Sequence, residues 1–189
     1  FPLMAFVAVD PDVIRRHLPE YDAYNAVSPM TAGEMTRKES GFIVELLTEV
    51  ALKEGKNVLV DGSLRDYAWY LEYFKRLRSQ YPKLRLAIIM VSSPAESVLR
   101  RAKKRGEETG RMIPEETLLD AIKQVPISVN VLKHEVDFFV EIENFGSGGT
   151  DNTESDVKIV KHDCKKIIQL CWLTFRHLKM TQAISCGVI

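Results

Sequence analysis

Cysteine is scarce in this chain. Its three cysteines, Cys164, Cys171 and Cys186, all fall in the last quarter, are odd in number and lack metal-ligand spacing. That excludes a disulfide scaffold and a zinc site and points to a reducing compartment. Excess charge is missing too, because 26 Lys+Arg balance 26 Asp+Glu to a formal net charge of zero. The global attraction that non-specific nucleic-acid and membrane binders use is therefore absent, and any bound anion must be held locally. No apolar run is long. The most apolar, Ile167–Phe175, is too short to span a bilayer, and Phe1–Val9 has neither the basic front nor the small-residue cleavage site of a signal peptide. A soluble, cytoplasmic chain is expected, with no membrane partner. The four histidines share no spacing, and no serine sits in a Gly-x-Ser-x-Gly elbow, so a hydrolase triad has little support.

What is present reads as one α/β domain. The 189 residues, 46% hydrophobic and 28% charged, suit a compact globular unit. Leu3–Val9, Asn57–Val60, Leu84–Val91 and Phe138–Ile142 read as buried strands, with helical patterns between them, the alternation of a parallel sheet flanked by helices. Phe42, Ile43, Leu46, Leu47 and Val50 supply one apolar helix face, stopped by Gly55. Tyr67, Tyr70, Leu71, Phe74 and Leu77 supply a second, and Ala95, Val98, Leu99 and Ala102 a third. Pro114-Glu115-Glu116 opens a fourth helix with the apolar face Leu118, Leu119 and Ile122. Residues 145–155 have the composition of a linker, followed by a short strand over Val157–Val160 and a helix over Cys164–Leu178.

In open parallel sheets the ligand crevice lies beyond the carboxyl ends of the strands. There the sequence is polar: Asp10-Pro11-Asp12 after the first strand, Asp61-Gly62-Ser63 after the second, Ser92-Ser93 after the third and Glu143-Asn144 at the fourth. Acids at two strand ends bind a substrate hydroxyl, orient a magnesium ion or take a proton from a nucleophile. The plainer alternative has Asp12 capping the following helix and Asp61 making a turn with Gly62. Val60–Asp66, with Trp69-Tyr70, reads as a polar pocket wall, against an ordinary surface pair of Arg65 with Asp66 opening a helix. Arg100, Arg101, Lys103, Lys104, Arg105 and Arg111, on a helix and a Gly106…Gly110 loop, form a lid-like cluster suited to a phosphate chain. A solvated basic face paired with nearby glutamates is the bland reading of the same run. With no aromatics interleaved, the cluster does not read as a nucleic-acid interface.

These pieces, in order, resemble the zeta-toxin domain proteins, small P-loop kinases. Asp10–Arg15 with Leu18-Pro-Glu20, Lys38–Phe42, Val60–Asp66 with Trp69-Tyr70, Thr109-Gly-Arg111 with Pro114, and Asp137–Asn144 match successive family blocks. The resemblance implies ATP- and Mg2+-dependent phosphoryl transfer to a small-molecule hydroxyl, a UDP-sugar in bacterial members. By position, Asp12, Asp61, Ser63, Arg65 and Glu39 would face the acceptor. Arg111 with Arg101 or Arg105 would be the catalytic phosphate grip, and Arg111 and Asn144 would touch the nucleotide. Asp22, Glu34 and Glu39 are the candidate proton acceptors.

The family's phosphate loop, Gly-x-x-x-x-Gly-Lys-[Ser/Thr], is not in these residues. The one Gly-Lys, Gly55-Lys56, reads as a helix-to-strand turn. A strand–loop–helix unit of roughly 30 residues is expected to precede Phe1, leaving two strand edges without a neighbour unless the tail fills the gap. The expected organisation is a kinase-like domain over 1–144, a linker over 145–156 and a tail over 157–189. Two rivals stand beside the kinase: a shortened, non-catalytic binding or regulatory module, and an interaction protein whose tail helix, with Cys171, Trp172 and Phe175, docks a protein partner.

Overall fold

The computed structural model describes residues 6–110, 112–144 and 157–164. In chain order the elements are β1 (Phe6–Val9), α1 (Pro11–Arg15), α2 (Tyr21–Val27), α3 (Pro29–Met35), α4 (Arg37–Lys53) and β2 (Asn57–Val60). They continue as α5 (Tyr67–Gln80), β3 (Ala87–Ser92), α6 (Ala95–Thr109), α7 (Glu115–Leu132), β4 (Phe138–Asn144) and β5 (Val157–Cys164). The chain is α/β, as its alternation predicts, and divides into two compact units, residues 1–62 with 101–115 and residues 63–100 with 116–184 in their described parts.

In the first unit β1 and β2 pair in parallel, Phe6 against Asn57 through Val9 against Val60. Helix α4 packs on both strands and on α1 and α3. Its packing face is not the expected one. The buried residues are Ser40, Thr48 and Ala51, after buried Thr36, whereas Phe42, at 62% exposure, and Leu46, Leu47 and Val50 are exposed. The helical period was legible, but its inward side belongs to small side chains, and the hydroxyls of Thr36 and Ser40 are satisfied locally. Thr36 Oγ1 donates to the Ala32 carbonyl and Ser40 Oγ to that of Thr36, each at 2.8 Å, and small residues let elements approach closely. Gly55 ends the helix turn at φ +67°, the left-handed position where glycine is unstrained.

The second unit holds the larger apolar core: Tyr73, Phe74 and Leu77 of α5, Ile88 of β3, Leu118, Val129 and Leu132 of α7, and Phe139, Val140 and Ile142 of β4. Strand β3 pairs with β4 in parallel, Ala87 against Phe138 through Ser92 against Glu143. β3 begins at Ala87 rather than Leu84, because Leu84 N–H closes a turn onto the Tyr81 carbonyl at 2.9 Å. The expected strand Val157–Val160 extends to Cys164 and runs antiparallel on β4. Residue 164 therefore ends a strand instead of starting a helix, and the strand occupies the edge of β4 away from β3. Among the described residues, β2 pairs only with β1 and β3 only with β4. The expected tail helix beyond residue 164, with Cys171, Trp172 and Phe175, lies outside the described residues.

Candidate functional site

At the carboxyl end of β1 the chain turns into α1 through Asp10-Pro11, an acid at the cap and proline at the first helical position. Asp10 Oδ1 accepts from the backbone N–H of Asp12 at 2.7 Å and of Val13 at 3.3 Å. The cap is thus Asp10, not Asp12, and is worth about 1 kcal/mol. Asp12 is left to Arg15, whose Nε lies 3.5 Å from its carboxylate. Arg15 is buried, and its Nη1 donates to the Gly33 carbonyl of α3 at 3.1 Å. Asp61 follows β2, and its N–H donates to the Val9 carbonyl at 2.9 Å. The parallel register therefore sets Asp61 beside Asp10, one step beyond the Val9–Val60 pair. Two adjacent strand ends carry carboxylates, with Asp12 one residue into the helix.

In the same unit Arg101 and Arg105 lie on α6, half-buried, and neither is free. The expected Gly106…Gly110 loop is helix instead as far as Thr109. Gly106 is buried, the Thr109 hydroxyl donates to the Arg105 carbonyl at 2.7 Å, and only Gly110, at φ +72°, leaves the helical conformation. Arg111 lies outside the described residues. Asp22 on α2, Glu34 on α3 and Glu39 on α4 are all exposed, and Glu34 pairs with Arg37 at 3.0 Å.

In the second unit the loop before α5 is held from α7. The backbone carbonyl of Arg65 accepts from Ser128 Oγ at 2.6 Å, and the Arg65 guanidinium lies 3.6 Å from Asp120. Arg65 therefore does not pair with Asp66. Asp66 caps α5, accepting from Trp69 N–H at 3.1 Å. Between them and exposed Ser63, Leu64 adopts φ +52°, a left-handed conformation that costs a non-glycine residue about 1–2 kcal/mol. Trp69 stacks on Tyr73 with ring centroids 4.8 Å apart, and Arg76 sits over the Tyr73 ring at 5.2 Å. With Glu72 they line an open groove of about 270 Å³ along α5, so Trp69 belongs to this helix face rather than to a wall with Arg65. Burial, with the neighbouring Tyr73 and Asp66, pushes the Tyr70 hydroxyl up to about 12. At the far ends of β3 and β4, Ser93 Oγ donates to the Asn144 carbonyl at 2.7 Å and the half-buried Ser92 lies opposite Glu143.

The zeta toxin family model matches residues 4–156 of the chain. This chain belongs to the zeta toxin family. Among solved structures, the zeta toxin chain described here is similar to one from the PezAT chromosomal toxin–antitoxin system of the human pathogen Streptococcus pneumoniae. The TM-score is 0.60 at 13% identity, over 89% of this chain and 65% of that one. The fold is accordingly the P-loop kinase-like α/β fold of that toxin, of which this chain spans 65% of the length. No curated protein matches.

Zeta toxin family kinases generally use ATP and Mg2+. The strand-end carboxylates described above have the chemistry to hold a hydroxyl or a magnesium ion. The described residues do not offer a phosphate cradle: the Gly55-Lys56 pair sits in the α4-to-β2 turn. Among the described residues no three His, Cys, Asp or Glu side chains converge as a metal cluster, and no helix is long and apolar enough to cross a membrane. Four anchoring residues carried no assigned role in the sequence: Asp10, Arg15, Asp120 and Ser128. An acid directly before a proline is a readable cap signal, and a serine on an apolar helix face is a readable oddity. Arg15 stands at a readable three-residue spacing from Asp12, but its Gly33 partner and the Arg65 partner of Asp120 lie too far along the chain for spacing to reveal them.

Proposed function

We propose that this chain carries the acceptor-binding side of an ATP-dependent kinase that phosphorylates a hydroxyl of a small molecule, a UDP-sugar such as UDP-N-acetylglucosamine being the class the resemblance favours. The observation that carries this reading is the parallel register that sets Asp61 beside the Asp10–Asp12 turn, with Asp12 oriented by buried Arg15. Carboxylates so placed accept hydrogen bonds from an acceptor hydroxyl and fix its oxygen for in-line attack. When bound, Mg-ATP supplies the activated phosphoryl group. Arg101 or Arg105 with Arg111 would neutralise phosphate charge, and Asn144 would meet the nucleotide, while Ser63 and Arg65, next along the chain from Asp61, are assigned to the acceptor. Glu39, with Asp22 and Glu34, stays a candidate for the hydroxyl proton.

The test is calorimetric titration of the full chain with UDP-N-acetylglucosamine and, separately, with Mg-ATP. UDP-N-acetylglucosamine binding is expected to weaken at least tenfold in Asp61→Asn; equal affinity in parent and variant sinks the assignment. A second reading is a binding module without turnover; the Gly55-Lys56 pair lies in a turn and takes no part in phosphate binding on either reading. Acceptor binding without Mg-ATP binding would support it. A protein partner is proposed as well, since the structural neighbour comes from a toxin–antitoxin system and α4 exposes Phe42, Leu46, Leu47 and Val50.

A further inference from the structure

We propose that Ser128 is a positioning residue that holds the Ser63–Asp66 loop in its left-handed kink, and that Asp120, about two turns earlier on α7, aims the Arg65 guanidinium. The inference rests on the reading of Ser63 and Arg65 as acceptor residues. Ser128 is fully buried, at 0% exposure. A serine inside a helix ordinarily returns its hydroxyl to its own helix, as Ser40 does here with the carbonyl four residues back. Ser128 instead reaches a carbonyl 63 positions away in the chain, at 2.6 Å. The carbonyl it selects belongs to Arg65, the residue directly after Leu64 with its φ of +52°.

Leucine has no preference for that conformation; glycine and asparagine do. The kink must therefore be imposed from outside, and two clamps lie just beyond it: Ser128 on the Arg65 carbonyl and the Asp66 carboxylate on Trp69 N–H. With the backbone fixed there, the Arg65 side chain leaves the loop toward Asp120 at 3.6 Å. This pair is partly exposed on both sides, so it contributes direction more than stability. An arginine whose backbone is locked and whose head rests on a weak, water-accessible partner can exchange that partner for an anionic group on an acceptor with little movement. Helix α7 would thus set which acceptors the loop admits without touching them.

The experiment is amide hydrogen exchange on the full chain, parent against Ser128→Ala, followed at Trp69 and Tyr70, whose N–H groups donate to the Asp66 carboxylate and carbonyl and so report on the loop. Exchange there is expected to accelerate about tenfold, the effect of one lost hydrogen bond, with the amides of α7 unchanged. Adding Leu64→Asn to Ser128→Ala is expected to restore most of the protection, because asparagine tolerates the kink by itself. Unchanged loop exchange overturns the proposal. So does equal acceleration throughout α7, which would make Ser128 an ordinary packing residue. Should Ser128→Ala fail to fold, Asp120→Asn, at a half-exposed site, decides the second half: several-fold weaker UDP-N-acetylglucosamine binding with loop exchange unchanged is expected, and unchanged binding refutes it. A parent chain that binds no UDP-N-acetylglucosamine removes the acceptor reading, while the exchange result still decides the latch.

Discussion

Asp137, at the entry to β4, is the point where a single carboxylate fixes the register of the β3–β4 pair. Its Oδ2 accepts from Leu86 N–H at 2.9 Å and from Arg78 Nη2 at 3.0 Å, and its Oδ1 lies 3.4 Å from Arg85 Nη1. Arg78 also donates to the Glu135 carbonyl at 2.9 Å, so the cluster ties α5, the start of β3 and the turn before β4. Partial burial alone would push the Asp137 carboxyl up, but the Leu86 N–H, the Arg78 hydrogen bond and the charges of Arg78 and Arg85 outweigh it and hold it below the ordinary carboxylate value. Hydrogen bonds to a charged group contribute about 1.5–3 kcal/mol, whereas the largely exposed Arg85 pair adds little. Asp137→Ala should therefore cost about 2–3 kcal/mol. Asp137→Asn, which keeps an acceptor for Leu86 N–H, should cost about 1 kcal/mol. Urea unfolding followed by Trp69 fluorescence in a Trp172→Phe background reads this unit. Because the folded carboxyl titrates below its unfolded value of about 3.9, its contribution is complete above that pH and fades as pH falls through the lowered folded value. The gap between parent and Asp137→Asn should stay constant from pH 7 to pH 5 and close progressively below about pH 4. A gap absent at pH 7, or undiminished at pH 3, would refute the argument.

Two further substitutions test local physics in α4. Thr48 is buried and its Oγ1 has no hydrogen-bond partner among the described residues. Thr48→Val, nearly isosteric, should raise stability by about 1 kcal/mol by removing an unmet hydroxyl, and a lower urea midpoint would show that the hydroxyl is satisfied. Gly41 and Gly55 both have open space where a Cβ would stand, but only Gly55 has a positive φ. Gly41→Ala should therefore gain about 0.5–1 kcal/mol from helix propensity, while Gly55→Ala should lose about 1 kcal/mol to left-handed strain; shifts of equal sign in thermal unfolding would contradict the assigned backbone.

The strand Asn57–Val60 and the stop at Gly55 were readable because a β-rich run bounded by turn residues has few alternatives. The polar strand ends were readable from the same boundaries. What the pattern could not say is which way a helix faces. In α4 the stripe of Phe42, Leu46, Leu47 and Val50 has the right period, yet Thr36, Ser40, Thr48 and Ala51 are the residues turned inward. Periodicity specifies a face, and burial is decided by what packs against it. Gly106 stayed helical where a loop was expected because one buried glycine costs a long helix only about 1 kcal/mol. The grip of Ser128 on Arg65 spans 63 positions, and no local rule reaches that far.

A common logic joins the candidate site residues of the two units, each considered within its own unit. Asp12 is oriented by Arg15, and Arg65 by Ser128 and Asp120. Both primary anchors, Arg15 and Ser128, are buried polar groups. Burying a guanidinium or a hydroxyl is poor value for stability, since the desolvation penalty consumes most of what the interaction returns. A leucine or alanine in their places would fill space at lower cost. Polar anchors that contact a kinked loop or a strand-end acid therefore make sense chiefly as devices for direction: they hold a carboxylate and a guanidinium in fixed orientations while leaving the working groups partly open to water. On that reasoning, variants at Arg15 and Ser128 should disturb acceptor binding more than their effect on stability would account for.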